Sequence, residues 1–232
     1  MKRQMRHKKL VVSGALMAAI FWMNTQPVSA QFEQCKGPQA PAPYCRAIDN
    51  ATALAVQSDG KLVVVGYSNT GTLLNPVNVF ALVRYKKDGS MDPTFGTGGI
   101  VTTAIDIFND KALALAIQSD GKVIVAGYSN YGTPGAPLYG FALVRYKKDG
   151  SPDPTFGTGG IVTTAIGAHY DDAALALVIQ PDGKLVAAGH SHNGSQYEYA
   201  LARYNADGSL DPTFGGTGVA TSAGTVTGVK GS

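Results

Sequence analysis

The sequence predicts an all-β protein of β-propeller type, built from three four-stranded, blade-like repeats of about 60 residues. Three observations carry this prediction. The first is internal repetition: Gln57-Ser58-Asp59-Gly60-Lys61 returns as Gln118-Ser119-Asp120-Gly121-Lys122 and as Gln180-Pro181-Asp182-Gly183-Lys184, at offsets of 61 and 62. The segment from Phe80 to Tyr85 returns at Phe141 to Tyr146 and at Tyr199 to Tyr204, and Asp92-Pro93-Thr94-Phe95-Gly96 returns from Asp153 and from Asp211. The second is composition: 29 of 232 residues are glycine and only 15% are charged, against averages near 7% and 25%, a profile that suits short strands and tight turns. The third is the rhythm inside each copy, where short apolar runs alternate with Asp-Gly pairs.

Residues 1–30 precede the repeats and read as a signal peptide. Lys2, Arg3, Arg6, Lys8 and Lys9 form a basic start, Leu10 to Trp22 is apolar, and Val28-Ser29-Ala30 places small residues where signal peptidase needs them, so the mature chain is expected to begin at Gln31. The apolar run is shorter than the roughly 20 residues of a spanning helix. Cys35 does not directly follow the cleavage site, so a lipid-modified N-terminal cysteine is not expected. The expected product has no stable membrane anchor and is secreted or periplasmic. Residues 31–48 are proline-rich and hold both cysteines, Cys35 and Cys45. In an exported chain an isolated pair is read as a disulfide, worth about 3 kcal/mol for so short a loop in the chain-entropy model.

The repeats are predicted over residues 49–224, as copies of about 49–109, 110–171 and 172–224, with 225–232 as a tail. In the first copy, strands are expected at 53–57 and 61–67, flanking Asp59-Gly60, where a two-residue hairpin turn would need positive φ at both central residues. Ala112 to Gln118 is rich in helix formers yet too short for a stable helix before its Asp-Gly turn, so it too is read as a strand. Phe80 to Tyr85 supplies a third strand, and Ile100 to Thr103 a fourth after the Asp88-Gly89 turn and the Asp-Pro-Thr-Phe loop.

These motifs, in this order and period, resemble the delta-60 repeat family, a group of bacterial exported proteins assigned to β-propellers of unknown function. The resemblance covers about residues 49–224 and implies a blade architecture without implying a reaction. A closed propeller uses four to eight blades. Only Ser222 to Ser232 follow the last strand motif, too few for a fourth copy, so closure is expected through a homodimer of six blades.

Most acids belong to the architecture rather than to a unique site. Asp49, Asp110 and Asp172 form one recurring position, Asp59, Asp120 and Asp182 a second, Asp88, Asp149 and Asp207 a third, and Asp92, Asp153 and Asp211 a fourth. A residue present in every copy is best explained by turn geometry or capping. Arg84, Arg145 and Arg203 sit mid-strand among apolar residues, and a buried arginine must be paired. The Asp92, Asp153 and Asp211 set is the predicted partner, within or between blades, with an exposed edge-strand arginine as the alternative. Asp-Gly-Ser-x-Asp also has a faint calcium-loop spacing but lacks the remaining oxygen ligands.

Function is sought where the copies differ, in the loops from Asn69 to Val79, Asn130 to Gly140 and His192 to Glu198. Tyr139 and Tyr197 share one repeat position, Tyr131 lies nearby, and exposed tyrosines can stack on sugars or meet a protein. His190 and His192 lie two apart on one strand face and could begin a metal site, with His169 or Asp171 as a third ligand. Solvated surface histidines are the competing reading. Without the five basic residues near the N-terminus, 14 basic side chains face 16 acidic ones, so no basic excess points to nucleic acid. No nucleophile elbow, phosphate loop or dinucleotide fingerprint is present in the mature chain. The sequence therefore predicts an exported binding or scaffold module without cofactor, in preference to an enzyme, using its inter-strand loops toward a protein or glycan partner. Two alternatives stay open: a glycan-binding protein using the loop tyrosines, and a metal-dependent hydrolase around His190 and His192.

Overall fold

A computed structural model describes residues 49–70, 77–133, 135–167 and 171–223, all within one compact unit spanning Arg46–Ser232. The expected signal peptide, the Cys35–Cys45 disulfide, the tail and His169 lie outside the described residues. These form twelve strands and no helix: β1 (Asp49–Val56), β2 (Leu62–Asn69), β3 (Asn78–Tyr85), β4 (Ile100–Thr103), β5 (Lys111–Ile117), β6 (Val123–Asn130), β7 (Tyr139–Tyr146), β8 (Ile161–Thr164), β9 (Ala173–Ile179), β10 (Leu185–His192), β11 (Tyr197–Tyr204) and β12 (Val219–Ala223). They make three antiparallel four-stranded sheets, each in simple sequence order. This is a partial β-propeller of three blades whose sheets do not close into a ring.

The blades meet most closely along their first strands, β1 against β5 and β5 against β9, so the first strand of each copy is innermost and the fourth is the outer edge. Two apolar layers separate them. Val63, Val65, Phe80, Leu82 and Phe95 of the first blade pack on Ala112, Val123, Val125, Ala142, Val144 and Tyr146 of the second. Ile124, Ala126, Phe141, Leu143 and Phe156 of the second pack on Ala174, Leu177, Leu185, Ala187, Ala200, Ala202 and Tyr204 of the third. The continuous apolar run at Val123 to Ala126 follows from this, since that strand of the central blade is covered on both faces, whereas in the run from Leu62 to Val65 only Val63 and Val65 face a neighbouring blade.

The first turn is longer than predicted. The Gln57 amide bonds to the Lys61 carbonyl at 2.8 Å, and the Gly60 amide bonds to the Gln57 carbonyl at 2.8 Å, leaving three loop residues with the left-handed conformation on Gly60 (φ 80°). A turn capped by a left-handed glycine is the usual three-residue hairpin, and the Asp59 carboxylate secures it by accepting the Lys61 amide at 3.1 Å. Gly66, Gly127 and Gly189 have a different reason. Each faces the bulge in the preceding strand, where an added Cβ would lie 1.7, 1.9 and 1.8 Å from the carbonyl oxygens of Asn50, Lys111 and Ala173. No side chain fits there.

Candidate functional site

The strand order gives the blades two ends, one carrying the Asp-Gly turns and one carrying the β2–β3 type loops and the links between blades. The Asp-Gly end is organised around an arginine. Arg145 Nε donates to Asp153 Oδ2 at 2.8 Å, its Nη2 donates to Thr155 Oγ1 at 2.8 Å, and its guanidinium lies over the Phe156 ring at 4.8 Å. Every side chain of the Asp-Pro-Thr-Phe motif except the proline thus serves that arginine. Its Nη1 donates to the Ala206 carbonyl of the next blade at 2.5 Å. Arg84 repeats the pattern with Asp92, Thr94, Phe95 and the Lys148 carbonyl, and Arg203 repeats it with Asp211, Thr213 and Phe214.

The expected arginine-to-aspartate pair is therefore formed within each copy, and it also ties each blade to its successor. Lys122 Nζ adds a second cation to Asp153 at 3.0 Å, as Lys61 does for Asp92 at 3.1 Å and Lys184 for Asp211 at 2.9 Å. Burial pushes the Asp153 carboxyl up, but the hydrogen bonds from Lys122 and Thr155 and the Arg145 charge outweigh it and hold the group well below the ordinary carboxylate range. Asp92 behaves in the same way.

The other recurring acids, Asp49 apart, are also accounted for. Asp88, Asp149 and Asp207 each accept the backbone amide and hydroxyl of the serine two residues on, both at Oδ1, which closes the turn. Asp110 and Asp172 are buried between blades and cap the links, accepting the amides of Ile105 and Ile166 at 2.8 Å. Desolvation raises the Asp110 pKa above its ordinary value in spite of the Ser129 hydroxyl, which donates to it at 2.6 Å.

The loop end is aromatic and differs from copy to copy. Between the first and second blades, Lys111 Nζ of β5 lies 4.6 Å from the Tyr67 ring centre of β2. In the second, Tyr128 and Tyr139 meet edge to face at 5.2 Å, and burial, then the neighbouring Tyr139, Tyr67 and Asp171, push the Tyr128 phenol up to about 12. In the third, His190 and His192 both meet the Tyr197 ring edge to face, at 5.1 and 5.0 Å. Tyr197 is 54% exposed and donates its hydroxyl to Asp171 Oδ2, and that hydrogen bond raises its pKa.

Among the predicted site residues, the structure joins His190, His192 and Tyr197 into one cluster and sets Tyr139 against Tyr128. Tyr131 is half-buried against Gly140, where an added Cβ would come within 3.1 Å of its ring. Among the described residues no group of three or more His, Cys, Asp or Glu is placed to hold a metal ion. Asp171 adjoins the cluster through the Tyr197 hydroxyl. Lys111 and Tyr128 were missed as site residues by the sequence reading. Lys111 was detectable as a departure from the repeat, because Asn50 and Ala173 occupy its position in the other copies.

No curated protein matches the chain. The family model described as a domain of unknown function (DUF5122) beta-propeller matches residues 57–95, 118–156 and 180–214. Each matched segment runs from the glutamine of the first turn to the phenylalanine stacked on the arginine. With a match in every copy, the repeats of the chain are similar to those of this β-propeller family of unknown function.

Proposed function

We propose that the protein is an exported, non-catalytic binding module whose contact surface is the loop end of the blades. One observation carries this reading. The charged side chains that recur in all three copies, Asp49 apart, are engaged in the arginine clasps, the turns and the caps, whereas the side chains that differ between copies gather at the loop end as Tyr67 with Lys111, Tyr128 with Tyr139, and Tyr197 with His190, His192 and Asp171. Export is argued from the basic and apolar segment of residues 1–30. A glycan is the ligand class favoured by Tyr197, because a half-exposed ring beside a carboxylate offers both a stacking face and a hydrogen-bond acceptor.

A metal-dependent hydrolase has weaker support, since both imidazoles pack on Tyr197 and no third ligand converges with them among the described residues. Metal analysis of protein purified without a histidine tag tests it, and stoichiometric zinc would reinstate it. A glycan array probed with the wild-type chain and with Tyr197→Ala tests the main reading. Wild-type protein is expected to retain a subset of glycans and the variant to lose it. Retention that is equal in both would remove the loop end as the binding surface.

A further inference from the structure

The apolar layers between blades have two unfinished ends. The first blade turns Ala51, Leu54, Val64, Val83 and Tyr85 away from the second, and these occupy the repeat positions of Ala112, Leu115, Val125, Val144 and Tyr146. In the second blade all of those but Leu115 are buried, whereas Leu54 and Val56 of the first are each 62% exposed. The third blade turns away Val178, Val186, Ala188, Tyr199 and Leu201, the counterparts of Ala116, Ile124, Ala126, Phe141 and Leu143, and here Val178 is 57% and Tyr199 66% exposed. The two open faces are not alike. One is the surface each blade offers to its predecessor, and the other is the surface each blade offers to its successor.

The hydrogen bonds between blades are unfinished in the same complementary sense. Arg84 and Arg145 each place Nη1 on a carbonyl of the following blade, at Lys148 and Ala206. Arg203 has no such bond among the described residues, and its side chain is 21% exposed where the other two are 6%. The matching carbonyl, that of Lys87, lies on the open first blade. The amides of Gly96 and Gly157 donate to the Asp149 and Asp207 carbonyls of the next blade at 2.7 and 2.8 Å. Among the described residues Gly215 is the donor left over and the Asp88 carbonyl the acceptor left over. Tyr146 and Tyr204 donate their hydroxyls back to Thr103 and Thr164 at 2.7 and 2.9 Å, which leaves Tyr85 as donor and Ser222 as acceptor.

We infer that the third blade of one chain docks on the first blade of a second copy through these residues, and that two such contacts close a six-bladed ring. Arg203 then binds the partner's Lys87 carbonyl, Gly215 the partner's Asp88 carbonyl, and Ser222 accepts from the partner's Tyr85. A second copy is the occupant that supplies all three missing halves together with an apolar face of matching repeat positions. Contacts between unlike faces form a ring when the rotation closes, and two chains bring the blade count to six, within the four to eight of closed propellers. This inference is independent of what binds at the loop end.

Sedimentation of the purified chain at micromolar concentration, with circular dichroism as the check on folding, tests it. Wild-type protein is expected at twice the monomer mass. Val64→Glu on the first open face and Ala188→Glu on the third are each expected to give folded monomers. An equimolar mixture of the two variants should associate again, because one supplies an intact third blade and the other an intact first blade. Tyr85→Phe is the mild variant: each lost hydrogen bond costs about 2- to 10-fold in affinity, and the ring loses two. A monomeric wild type, a single variant that still pairs with itself, a mixture that stays monomeric, or a mass growing without limit would each overturn the inference.

Discussion

Phe141 and Tyr199 occupy one position of the repeat, in the same strand of neighbouring blades, yet Phe141 is fully buried and Tyr199 is 66% exposed. Val125 and Val64 differ in the same direction. The local sequences are close enough to form the same strand in the same register. What differs is whether another blade stands against the face. Strand formation here is a property of each copy, and burial is a property of the stack, as expected where each repeat touches only its neighbours.

The largest test of that contrast is truncation at the shared position. Phe141→Ala is expected to cost about 3–5 kcal/mol, the range for emptying an aromatic site in a core. Tyr199→Ala should cost less than about 0.5 kcal/mol in chemical denaturation at dilutions where the chain is monomeric, as for other exposed sites. Equal losses would mean that the third blade's open face is covered.

The arginine clasp gives a smaller contrast. Arg145→Ala is expected to cost about 2–4 kcal/mol, somewhat less than breaking a fully isolated buried pair, because Lys122 still neutralises Asp153. Arg203→Ala should cost less than half as much, since its side chain is partly solvated and it makes no bond to a following blade among the described residues. The same carboxylates set the acid limit. Asp92 and Asp153 have folded pKa values below the ordinary value of 3.8, so their contribution is complete above about pH 4 and is lost as pH falls below it. Asp110, raised by burial, acts in the opposite sense: its contribution is complete below its unfolded value and weakens as pH rises through its folded one. Unfolding free energy followed from neutral pH downward should therefore fall most steeply below pH 4, and Asp153→Asn should flatten that fall.

Glycine at the bulge should abolish the contrast. In Gly127→Ala and Gly189→Ala the new methyl meets a carbonyl of its own sheet, at 1.9 and 1.8 Å, so both variants should lose about 1–3 kcal/mol, the usual range for overpacking. A large difference between them would show that stacking, rather than the sheet itself, sets the spacing at the bulge.

Much of this architecture is legible in the residues. The repeated Asp-Gly pairs announce the turns, and the recurrence of Arg with Asp eight residues later announces the clasp, because a mid-strand cation demands a partner in every copy. The roles of Thr94 and Phe95 on Arg84 were not legible, since stacking and a second hydrogen bond depend on how the loop folds back over the strand. At the loop end, the pairing of Tyr197 with His190 and His192 follows from strand register, which sets His190 two pairs from His192 with Tyr197 opposite the latter. The hydrogen bond from Tyr197 to Asp171 joins residues 26 apart in the chain and has no such local signature.

By itself the sequence determined the copies, their strands and turns, and which side chains each copy needs for its own folding, because those interactions span at most a few residues or one hairpin. Only the tertiary structure decided which strand is innermost, which of two equally apolar faces is buried, and where Arg84 and Arg145 place their third hydrogen bond. Those outcomes depend on the neighbouring blade, about 60 residues away in the chain. The neighbour's sequence is nearly the same on both sides of any copy, so local pattern cannot distinguish a covered face from an open one.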